Sequence, residues 1–194
     1  FEPAAPVEEM RAEFVDWIEL SNNGASVVDL TGWSLSDNET DLRKWSFPPG
    51  TTIPAGGYLL VLADDLDTAG ISPVYLHANF KLDAGGEYLA LVDDSGVLQT
   101  EFAGGFPRQL DFYSLGLPPG GGGYAYLSEP SPGAANGGPA YAGVVEKPDF
   151  DTPSGFHARS VTLGITTSTP GATIRYTTDG TEPTLKNGID YVAP

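Results

Sequence analysis

Apolar and polar residues alternate with a period of two along most of this chain, and no stretch of about 12 residues carries the 3.6-residue apolar stripe of a helix. EFVDWIEL (13–20) predicts a strand with Ile18 and Leu20 on one face and Val15, Trp17 and Glu19 on the other. The turn-forming SNNGAS leads into VVDLTGWSL (27–35). RKWSF and the turn FPPGTTIPAGG then precede YLLVLA (58–63), whose unbroken apolar run predicts burial on both faces. PVYLHANF, EYLALVD and VLQTEF are further strand candidates, the last two joined by DDSG as a hairpin. Short strands punctuated by turns at this spacing predict an all-β sandwich.

The pattern changes after about Ala103. Residues 104–143 hold GGFP, LPPGGGG and SEPSPGAANGGP, with YAYL (124–127) as one more strand candidate; the rest reads as an ordered tail or a linker. Alternation resumes in SVTLGITTS (160–168) and ATIRYTTDGTEPT (172–184), which places a boundary near 140–146. The expected units are 1–140, and 144–194 as a second, shorter β module.

Charge and composition narrow the function classes. Nine Lys+Arg face 26 Asp+Glu, a net charge of −17, with the basic residues scattered, which opposes binding to nucleic acid or to an anionic membrane surface. The chain has no cysteine, so disulfides, thiolate metal sites and cysteine nucleophiles are excluded. No apolar run approaches the ~18 residues of a membrane span, so membrane insertion is not expected. The chain opens on Phe1 with no visible signal peptide and reads as a piece of a longer protein.

Several motifs in order carry a family resemblance. EFVDWIELSN, DLTGWSLSDN, WSFPPGTTIPAGGYLLVLAD and HANFKLDAGGEYLALVDDSGVLQTEF, followed by EPSPGAANG (129–137), make residues 13–102 resemble the lamin tail domain of bacterial proteins. The resemblance implies an Ig-like β-sandwich, non-catalytic, within a large secreted or surface protein. APVEEM (5–10) is the candidate for the family's first strand. FDTPSGFHARSVTLGITTSTPGATIRYTTDGTEPT makes residues 144–194 resemble the C-terminal domain of chitobiases and β-hexosaminidases, also an Ig-like accessory sandwich. In that family a further strand follows, so the second module reads as truncated at YVAP.

The chemistry expected is that of a binder. The two histidines, His77 and His157, fall in different units, and no GxSxG, HExxH or P-loop occurs, so no enzyme is expected. Acidic loops supply oxygen ligands, and Asp64, Asp65 and Asp67 in LADDLDTAG are the candidate Ca²⁺ site, beside the plainer reading as solvated turn residues. Otherwise no cofactor is expected. Trp17, Tyr124 and Tyr126 are candidate ligand contacts, since exposed aromatic rings stack on the apolar faces of sugars. Trp33 and Trp45, with Phe47 beneath it, read as core. The expected function is an interaction or spacer module of an extracellular or cell-surface bacterial protein, its partner a protein or a cell-surface polymer. The competing reading is a carbohydrate-binding accessory of a polysaccharide-degrading enzyme.

Overall fold

The computed structural model describes residues 15–67 and 75–193. The strand candidate at 5–10 lies outside them. The chain divides into two units, Phe1–Ala142 and Gly143–Pro194. Every regular element among the described residues is a β-strand.

In the first unit the strands are β1 (Asp16–Ser21), β2 (Val28–Asp29), β3 (Ser34–Ser36), β4 (Trp45–Ser46), β5 (Thr52–Ile53), β6 (Tyr58–Ala63), β7 (Leu76–Ala78), β8 (Ala90–Val92), β9 (Leu98–Glu101), β10 (Ser114–Gly116), β11 (Ala125–Leu127) and β12 (Ala140–Tyr141). They build an Ig-like sandwich. One sheet has the order β1-β6-β7 and the other β4-β3-β8-β9, with β2 and β5 paired apart from both. The register Ile18↔Val61 places Ile18 and Val61 together on the inner face. There they meet Leu30, Leu35, Trp45, Phe47, Ile53, Ala63, Ala78, Phe80 and Leu91. Trp45 and Phe47 pack edge to face with centroids 4.9 Å apart, and Trp33 packs half-buried against the same cluster. The unbroken apolar run of β6 has its physical reason here. Val61 and Ala63 face the core, while Leu62, pointing the other way, is also buried.

Polar residues complete the core rather than interrupt it. Ser34 and Ser36 are fully buried. The Ser34 Oγ lies 3.2 Å from the Ser46 Oγ, and the Ser36 hydroxyl donates to the Asp41 carbonyl at 2.6 Å. Asn22 ties the β1–β2 loop to the turn before β6. Its Nδ2 donates to the carbonyls of Ser26, Ile53 and Pro54, and its Oδ1 accepts the Gly24 N–H. The DDSG hairpin closes as expected. The Asp93 N–H reaches the Val97 carbonyl, and the Asp93 Oδ1 accepts the N–H groups of Ser95 and Val97.

In residues 104–142 the strand candidate YAYL is β11, and the segment holds two further strands. β10, β11 and β12 form a three-stranded antiparallel sheet that belongs to the first unit, with Leu127 fully buried and Phe106 nearly so. The segment is anchored by backbone bonds from Phe106 to Glu87 and from Gln109 to Ala84. Gly86 makes the approach feasible. It has φ +98°, and a Cβ there would lie 2.0 Å from the Phe106 carbonyl oxygen.

The second unit holds β13 (Asp149–Phe150) paired with β14 (Ile165–Thr166), and β15 (Arg175–Tyr176) paired with β16 (Ile189–Asp190). An ion pair between Arg175 and Asp190 joins the second ladder. The Asp179-Gly180 turn is held by Asp179 Oδ1, which accepts the Thr181 N–H and hydroxyl.

Candidate functional site

The acidic loop after β6 is arranged as a turn. Asp64 is half-buried, and its Oδ2 lies 2.6 Å from the His77 Nδ1 of β7 while its Oδ1 accepts the Leu66 N–H. Asp65 and Asp67 are exposed and take left-handed backbone conformations, φ +66° and +48°. Among the described residues no group of three or more His, Asp or Glu side chains is placed to hold a metal ion. The candidate Ca²⁺ set therefore does not converge here. Both oxygens of its innermost member already have protein partners. Other carboxylates act in the same local way, since Asp29 Oδ1 accepts the N–H and hydroxyl of Thr31, which lowers its pKa from the usual value. His77 is buried as the partner of Asp64, and His157 is exposed in the second unit.

The three aromatic candidates separate. Tyr126 is only 8% exposed, and its hydroxyl donates to the Arg108 carbonyl, so the expectation that it faces a ligand is corrected. Tyr126 and its strand neighbour Leu127 are both buried in β11, so both sides of this strand are covered. Tyr124 is exposed, with its ring 4.5 Å from that of Phe102. Trp17 is half-buried. It lies in register with Leu62, which lies in register with His77, and both of these are buried. Two residues along the same face of β1, the Glu19 carboxylate accepts the Gly133 N–H at 2.6 Å. Burial pushes the Glu19 pKa up, and that N–H partly opposes the shift.

The sequence reading passed over a second aromatic group. Phe112, Tyr113 and Tyr141 are all exposed, and the rings of Tyr113 and Tyr141 meet edge to face at 6.4 Å. The signal was the triplet DFY in a segment otherwise rich in Gly and Pro. In the second unit an open groove of about 210 Å³ is lined by Leu163, Ile165, Tyr176, Tyr191 and Val192. The Tyr191 hydroxyl there accepts the Ile165 N–H at 3.1 Å.

Comparison with known families agrees with the order of motifs along the chain. Residues 3–103 match the Lamin Tail Domain, and residues 152–192 match the Chitobiase/beta-hexosaminidase C-terminal domain. No curated protein matches the chain. Residues 104–142, including the DFY triplet, lie between the two matched regions.

Proposed function

We propose that this chain, which belongs to the lamin tail domain family, is a non-catalytic interaction or spacer module of a larger secreted or surface-attached bacterial protein. The observation that carries this reading is the tandem order of two modules whose families are non-catalytic and Ig-like. The internal chemistry supports it. Several buried polar side chains hold the fold: His77 pairs with Asp64, Ser36 bonds the Asp41 carbonyl, and Asn22 bonds three carbonyls. The second module's family is found in secreted or surface enzymes, which supports an exterior location.

A second reading, a carbohydrate-binding accessory, draws support from exposed aromatic rings at Tyr124, Phe112, Tyr113 and Tyr141. Cosedimentation of the intact chain with bacterial envelope preparations separates the two. Saturable retention abolished by protease treatment of the envelope favours a protein partner. Retention that survives protease and is lost on glycan digestion favours the second reading. No retention on any preparation refutes the interaction role and leaves a spacer.

A further inference from the structure

Residues 110–113 form a turn in which the Tyr113 N–H reaches the Leu110 carbonyl at 3.2 Å. Its third residue, Phe112, has φ +68°. Glycine or asparagine suits that position, and a bulky side chain there is strained. A buried ring would offset the strain through packing, but Phe112 is 85% exposed. Neither turn preference nor core packing accounts for a phenylalanine here, and an unexplained strained residue points toward function. The next residue, Tyr113, forms the ring pair with Tyr141 on β12, and Tyr141 is 45% exposed. In its sheet, β12 is an edge strand.

We propose that Phe112, Tyr113 and Tyr141 form a stacking platform for the pyranose rings of a neutral polysaccharide, an inference that rests on the carbohydrate reading above. The apolar C–H face of a sugar lies on an aromatic ring, and its hydroxyls bond to polar groups at the rim. The two phenolic hydroxyls and the exposed carboxylate of Asp111 supply that rim. The first unit carries twenty carboxylates against five Lys and Arg residues, which repels anionic polymers and leaves hydroxyl donors well served.

The test is depletion of the intact chain from solution by amorphous cellulose and by chitin, with polygalacturonate as the anionic control. The variants are F112G, F112W and Y141A. Glycine relieves the strained turn, so F112G is expected to melt at or above the parent's temperature. Its half-saturation on the neutral polymer that retains the parent is expected to rise at least tenfold. Y141A is expected to weaken binding similarly, and F112W to keep it. Parent-like binding by F112G overturns the platform while leaving the carbohydrate reading intact. Failure of both neutral polymers to retain the parent overturns both. Melting of F112G clearly below the parent would assign Phe112 a packing role and overturn the platform.

Discussion

Asn22 offers the sharpest test of how the sandwich is held. Its side chain is 6% exposed and makes four hydrogen bonds, donating to the carbonyls of Ser26, Ile53 and Pro54 at 2.7, 3.0 and 3.1 Å and accepting the Gly24 N–H at 2.9 Å. Replacing it with alanine leaves the Ile53 carbonyl without that partner in a buried position, while the bonds to Ser26 and Pro54 are only part-buried. A buried group left unsatisfied costs about 1–3 kcal/mol, and partly solvated bonds contribute about 0.5–1 kcal/mol each, so Asn22→Ala is expected to lose roughly 3 kcal/mol. Asn22→Asp is expected to lose more, because a carboxylate would replace the donor facing three carbonyls. Trp17, Trp33 and Trp45, the chain's three tryptophans, all lie in the first unit, so their fluorescence during urea unfolding reports that unit alone. Stability of Asn22→Ala within about 0.5 kcal/mol of the parent, or an Asn22→Asp variant as stable as the parent, would refute the reasoning.

Gly86→Ala would place a methyl 2.0 Å from the Phe106 oxygen at φ +98°; it is expected to cost at least about 2 kcal/mol and to speed proteolysis within 104–142. Asp64→Asn weakens a buried pair whose side chains are each 11% exposed, and an expected loss of about 1–3 kcal/mol is read from the same urea curves. With both Asp64 oxygens engaged, added calcium is expected to leave the melting temperature unchanged; a calcium shift abolished by Asp65→Asn would restore the metal reading. The raised pKa of Glu19 means that its contribution to stability is complete below the ordinary carboxylate range and is lost as pH rises through the folded-state value. Unfolding curves between about pH 4 and about pH 7 are therefore expected to fall less with pH in Glu19→Gln than in the parent, and identical slopes would contradict the assignment.

The sandwich was legible because its physics is local. Period-two alternation marks β1, the double-sided burial of β6 follows from an unbroken apolar run, and Asp93 closes its hairpin through bonds to residues two and four further on. Within residues 104–142 the YAYL strand was legible and β10 and β12 were not, since the segment's order depends on anchors distant in sequence: Gly86 under Phe106, and Glu19 on Gly133, 114 residues away. Of the candidate contacts, Tyr124, just before β11, is exposed as expected and Tyr126 is not; Tyr126 and Leu127 are both buried, a pattern that period-two alternation does not disclose. The DFY triplet was visible in the sequence, but the left-handed backbone angle of Phe112 and its exposure were not. The acidic loop looked like a metal site because Asp serves turns and cations equally well. Asp64 is paired with His77, 13 residues on, a contact that the local sequence does not disclose.

The central claim is that this chain is a non-catalytic module. Its most direct test is release of soluble reducing ends when the purified intact chain is held with insoluble cellulose, chitin and cell-wall polysaccharide. The account predicts release no greater than the protein-free blank on every polymer. Release that scales with the amount of chain and disappears in His77→Ala would contradict it.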